Sequence, residues 1–100
     1  MLKRTKIVAT LGPATDSRES IKSLIEAGAN VFRLNFSHGE SDDHVRRAER
    51  IRDIARELDT YIAILGDLQG PKIRVARFSH NKIELAKGDT FIIDVSHDKE

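Results

Sequence analysis

Apolar residues recur along the chain in two different periods, and the switches between them mark out the elements. Lys6 to Leu11 (KIVATL) is a short apolar run of residues that suit a strand, and Gly12-Pro13 ends it because proline fixes φ and offers no N–H to a ladder. Asp16 or Ser17 then offers a capping oxygen, with Glu19 placed to close a capping box from Asp16, and Ile21, Leu24 and Ile25 follow at helical spacing up to Gly28. This predicts a helix over 17–27. Asn30 to Phe36 (NVFRLNF) predicts a second strand, halted by the polar Ser37-His38-Gly39. Ser41 is the next cap, Asp42 and Asp43 lie where the helix dipole favours anions, and Val45, Ala48, Ile51, Ala55 and Leu58 form a stripe down one face of a helix over 41–58. Tyr61 to Leu65 (YIAIL) is a nearly pure apolar strand, the pattern of a sheet covered by helices on both faces, and GDLQGP from Gly66 breaks it.

After Pro71 the texture changes. Lys72 to Phe78 and Lys82 to Leu85 alternate, joined by Ser79-His80-Asn81, and Lys87-Gly88-Asp89 turns into Thr90 to Val95; this predicts an antiparallel meander. Strand, helix, strand, helix, strand is the opening βαβαβ of a parallel α/β fold, and right-handed crossovers place all three strand ends at one edge. The expected division is therefore an α/β part over 1–70 and a β-rich insertion starting at 71–100. Three strands cannot close a barrel, which takes roughly 250 residues. No closing element is foreseen in Ser96 to Glu100, so the expectation is the N-terminal part of a larger protein.

Composition narrows function more than fold. Seventeen Lys and Arg against sixteen Asp and Glu leave a formal charge of +1, so an anion must be caught locally rather than by a field of one sign. The second helix carries Arg46, Arg47, Glu49, Arg50, Arg52, Asp53, Arg56 and Glu57 on its other face; a nucleic-acid surface is one reading, and a solvated helix face of mixed sign is the favoured one. No run approaches the roughly 18 apolar residues of a membrane span, and Met1 to Lys6 lacks the pattern of a signal peptide, so a cytoplasmic protein with no membrane partner is expected. With no cysteine, and with His38, His44, His80 and His97 unpaired at ligand spacing, a structural metal is not expected.

The chemistry should lie just beyond the carboxyl ends of the strands, where loops vary on a fixed scaffold. Those ends are polar: Thr10 to Thr15, Arg33 to Gly39, and Gly66 to Arg74. Arg33 and Arg74 are forked donors suited to phosphate or carboxylate, and Asn35, Ser37 and Asp67 are hard oxygen ligands for a cation. Each also has a structural reading. Arg33 fits a satisfied ion pair, Asn35 and Ser37 fit local bonds that end a strand, and His38 fits a turn. Asp67, directly after an apolar strand, is the clearest chemical signal. Asn35-Phe36-Ser37 matches a glycosylation sequon, set aside for a cytoplasmic chain at a buried edge, and no Walker lysine motif, Gly-x-Gly-x-x-Gly or His-Glu-x-x-His occurs.

Three segments in order, TKIVATLGPA from Thr5, Asn30 through RLNFSHG from Arg33, and DLQGPKIR from Asp67, resemble the N-terminal third of the barrel of pyruvate kinase. The meander resembles the start of the family's β-rich lid, inserted after the third strand of a (β/α)8 barrel. The resemblance implies transfer of a phosphoryl group from phosphoenolpyruvate to ADP, giving pyruvate and ATP, with magnesium or manganese, in an allosteric homotetramer. By the same resemblance Arg33 binds the transferring phosphoryl group, Asn35, His38 and Arg74 contact the nucleotide, and Asn35, Ser37, Asp67 and the carbonyl of Leu68 form a monovalent-cation site. The family's barrel lysine and magnesium-binding carboxylates fall beyond residue 100, which implies an inactive fragment. Members requiring potassium carry Thr, Lys and Glu where this chain has Leu68, Gln69 and Lys72, so the resemblance implies that Lys72 replaces potassium. A free-standing phosphate-binding or regulatory module without catalysis is the alternative.

Overall fold

Strands β1 (Val8–Leu11), β2 (Val31–Asn35) and β3 (Ala63–Asp67) lie side by side in chain order, both pairings parallel. The register sets Thr10 beside Arg33 and Asn35 beside Asp67. A single 3-10 turn (Pro13–Thr15) and helix α1 (Arg18–Ala27) join β1 to β2, and helix α2 (Ser41–Glu57) joins β2 to β3. These elements come from a computed structural model that describes residues 3–95. Ser96 to Glu100 lie outside the described residues. The chain divides into two compact units, one ending at Gly70 and the other starting at Pro71.

Strand alternation decides which side chains meet the helices. Leu11, Phe32 and Leu34 point to one face and join Ile21 of α1 and Ile51, Ile54 and Ala55 of α2 in a single core. Phe32, Ile21, Ile51 and Ile54 are fully buried, each contributing roughly 1.5–3 kcal/mol relative to exposure. Both helices pack on this face. The other face, with Val8, Thr10, Val31, Arg33, Asn35, Leu65 and Asp67, bears no helix among the described residues of this unit, as expected for two helices on one side of three strands. Val8 and Leu65 are exposed there.

The helix ends differ from the sequence reading in instructive ways. Ser17 rather than Asp16 caps α1, its hydroxyl accepting the Ser20 N–H at 3.1 Å. Asp16 does not close a box with Glu19, because its carboxylate is taken by Arg47 and Arg50 from α2. The cap of α2 is Glu40, one residue earlier than Ser41, since the Asp43 carboxylate accepts the Glu40 backbone N–H at 3.2 Å and so extends the first turn. Its buried stripe is His44, Arg47, Ile51, Ile54 and Ala55, while Val45 is exposed. Gly28 closes α1 at φ 115°, a left-handed conformation that costs a side chain, with Ala29 N–H reaching Leu24 O at 2.9 Å.

In the second unit the two expected turns form, with Asn81 N–H bonded to Phe78 O and Asp89 N–H to Ala86 O, both at 3.0 Å. The strands predicted at 72–78, 82–85 and 90–95 do not: no strand occurs among the described residues of this unit. Ile73, Val75, Ile83, Leu85, Ile92 and Ile93 are exposed, and short hairpins without a packed apolar face are marginal in water.

Candidate active site

The strand ends of the first unit bring three predicted residues together with one that had no assigned role. Arg33 leaves the helix-free face of β2 and donates from Nε to Asp67 Oδ2 at 2.9 Å, with Nη2 bonded to the same oxygen. Its Nη1 reaches Thr10 Oγ1 at 3.4 Å. Thr10 was visible as a polar strand end; only the parallel register shows that it flanks the guanidinium. The structural reading of Arg33 as an ion pair is thus realised, yet the pair is open, with side chains 31% and 46% exposed, and contributes little to stability. Three of the five guanidinium N–H groups are engaged, which orients the fork and leaves two for an anion.

Asn35 and Asp67 are register partners, so two oxygen-bearing side chains stand beside each other next to a cation. The Asn35 side chain also acts locally: its Oδ1 accepts the Ser37 N–H at 3.1 Å, which turns the chain out of the sheet. Phe36 N–H donates to Asp67 O at 3.0 Å and His38 N–H to Asn35 O at 3.2 Å, completing a tight turn at the end of β2. His38 is exposed on that turn, and Leu68 is exposed beyond β3. Lys72 and Arg74 belong to the second unit.

His44 and Arg47 were missed. The sequence reading sets Arg47 on the solvated face and gives His44 no place on the helix, the stripe being drawn from Val45 to Leu58; a polar residue at the spacing of Ile51 and Ile54 was the available signal. Arg47 is buried and donates to Asp16 Oδ1 at 3.1 Å, pinning the β1–α1 loop to α2. Arg46 and Arg56 pair with Asp43 and Asp53, so four arginines of α2 face carboxylates rather than forming a one-sign surface. His44 lies beneath the β2–α2 turn, beside an open hollow of about 440 Å³ that Gly39, Leu68 and Gln69 also line. Among the described residues no three His, Asp or Glu side chains converge to hold a metal ion.

The family model for the pyruvate kinase barrel domain matches residues 2–100. The chain belongs to the pyruvate kinase family. It is 60% identical over 93 residues to a pyruvate kinase of Haemophilus influenzae, which covers 93% of this chain and 20% of that protein. To pyruvate kinase II of Salmonella typhimurium it is 56% identical over 95 residues, 95% of this chain and 20% of the relative. The crystal structure of Cryptosporidium parvum pyruvate kinase superposes with a TM-score of 0.76 at 38% identity, covering 81% of this chain and 17% of that one. The chain thus spans about a fifth of the length of these pyruvate kinases, and its α/β architecture with parallel strands is that of the family's barrel domain.

Proposed function

We propose that this chain is the N-terminal part of an enzyme that transfers the phosphoryl group of phosphoenolpyruvate to ADP. In that step an ADP β-phosphate oxygen bonds to phosphorus, the enol C–O–P link breaks, and the released enol takes a proton to become pyruvate. Such a transfer needs positioning and charge neutralisation more than a protein nucleophile. One observation carries the reading: Arg33 stands at the carboxyl end of the central strand with its guanidinium held by Asp67 and Thr10 and part of its fork unengaged. Arg33 grips the moving phosphoryl group. Asn35, His38 and Arg74 contact the nucleotide, and Asn35, Ser37, Asp67 and the Leu68 carbonyl form the monovalent-cation site, which Lys72 renders dispensable.

The donor set at the ends of β2 and β3 fits a weakly held monovalent cation, being neutral oxygens plus one carboxylate already shared with Arg33. It does not fit magnesium, which favours carboxylates and waters in strict octahedral geometry, so no residue of this chain is assigned to that ion. In this reading 1–70 opens the (β/α)8 barrel and 71–100 begins the inserted β-rich lid. The whole enzyme works in the cytoplasm as an allosteric homotetramer, and residues 1–100 alone make no ATP.

The test is Arg33→Ala in the full-length enzyme. A charge-assisted bond is worth roughly 1.5–3 kcal/mol, and more than one is lost, so kcat/KM for phosphoenolpyruvate should fall on the order of 100-fold or more. Unchanged turnover and unchanged phosphoenolpyruvate dependence would return Arg33 to a purely structural ion pair.

A further inference from the structure

We infer, building on the phosphotransfer reading above, that His44 is a positioning residue for the nucleotide: its imidazole clamps the carbonyl of His38 and so fixes the turn that presents Ser37 and His38. His44 is 5% exposed and sits in the first turns of α2, outside every strand end. Its Nε2 lies 2.7 Å from His38 O. A carbonyl oxygen only accepts, so Nε2 carries the proton and donates. The other nitrogen, Nδ1, is buried with no hydrogen-bond partner among the described residues.

A buried ring nitrogen without a partner is unfavourable, and a leucine or phenylalanine would fill the same core position without that cost. What the imidazole adds is the single bond to the turn. The turn is built around the ring. Phe36 stacks on it with centroids 4.5 Å apart and planes 28° from parallel. Phe36 in turn lies over Gly66, where a Cβ would stand 3.1 Å from its Cε2, and Gly39 passes the imidazole at φ 77° with a hypothetical Cβ 3.5 Å from Nε2. Gly66, Phe36, His44 and the His38 carbonyl therefore form one packed chain from β3 to the turn. Arg33 takes no part in it, being held by Asp67 and Thr10. The clamp thus acts on the turn that carries the nucleotide contact His38 and the cation ligand Ser37, and leaves Arg33, the phosphoenolpyruvate contact, alone.

Two variants of the full-length enzyme separate the donor from the ring. His44→Phe keeps an aromatic ring against Phe36 and removes the N–H; His44→Gln keeps an N–H at similar reach and removes the ring. His44→Phe should raise the KM for ADP by about fivefold to tenfold, the scale of one ordering hydrogen bond, while the KM for phosphoenolpyruvate stays within about twofold. His44→Gln should recover most of the loss. Equal rises for both substrates, an unchanged KM for ADP, or no recovery with glutamine would overturn the assignment. Nitrogen–proton correlation NMR of the wild-type histidine side chains is independent of activity and should show His44 protonated at Nε2; protonation at Nδ1 alone would overturn the clamp. If the wild-type enzyme makes no ATP from the two substrates, the phosphotransfer reading falls and this role with it, a result distinct from an active enzyme indifferent to His44.

Discussion

Asp16 illustrates how far a single residue's meaning depends on partners that sequence spacing does not reveal. Three residues before Glu19 it reads as a cap, yet its carboxylate faces Arg47 and Arg50, residues more than thirty positions away. The Arg47 side chain is only 10% exposed, so removing the Asp16 charge leaves a nearly buried guanidinium without its hydrogen-bonded counter-ion. Asp16→Asn should therefore cost about 1–3 kcal/mol, less than the roughly 3–5 kcal/mol for breaking a fully buried pair, because Asp16 itself is partly exposed. Asp43→Asn, which loosens the exposed Arg46 pair together with a backbone bond to Glu40, should cost less, because that pair is screened by solvent. Urea midpoints of the two variants give the comparison, and a smaller shift for Asp16→Asn would contradict the burial reasoning. Arg33, Asn35 and Asp67 were legible because strand alternation isolates a polar side chain among apolar neighbours. His44 and Arg47 were not, since on a helix a polar residue of the buried stripe and one on the solvated face share the same local pattern.

Among the elements, the three strands and two helices of the first unit follow closely from apolar periodicity, with ends displaced by one or two residues where side chains compete for a cap. Tyr61, read as the start of the third strand, is fully exposed, and β3 begins at Ala63. The meander after Pro71 was legible only in its turns. Local chemistry suffices for a turn at Asn81 or Gly88, whereas a ladder requires an apolar face covered by something else. The contact between α1 and α2 carries a pH signature. Glu57 of α2 meets Lys22 and Arg18 of α1, and the Lys22 hydrogen bond, then the Arg18 charge, hold its carboxyl below the ordinary glutamate range. A depressed folded pKa gives stability that is present above the unfolded value, about 4.3, and lost as pH falls through the lower folded value. Glu57→Gln should lower stability above that point and leave it unchanged at the acid end, so that the acid limb flattens, by a small amount because the three groups are exposed. An acid limb identical in the two proteins would remove Glu57 from the account.

On the proposed function, the charge gathered at the strand ends sets the ion requirement of the whole enzyme, and by the resemblance the chain departs there from members that require potassium. Within the first unit, the carboxylate of Asp67 is already shared with the Arg33 guanidinium, so the oxygen set of Asn35, Ser37 and Asp67 carries little net charge of its own. The resemblance implies that members requiring potassium carry a glutamate where this chain has Lys72, and we propose that a bound monovalent cation offsets that negative charge beside the substrates. Lys72 reverses that sign, and Leu68 and Gln69 change with it. A unit charge about 4 Å from another is worth roughly 4 kcal/mol at an effective dielectric of about 20, enough to stand in for a weakly held ion. We propose that in the whole enzyme the Lys72 ammonium takes over the electrostatic part of the cation's role without its coordination, so that the oxygen set persists while the ion becomes dispensable. The full-length enzyme should therefore need magnesium yet run without added potassium, and Lys72→Glu should impose a potassium requirement. Initial velocities are compared in buffers whose sole monovalent cation is a bulky organic amine, with and without potassium. Strong potassium activation of the wild type, or a Lys72→Glu variant equally active in both buffers, would show that the charge at position 72 does not set the ion requirement.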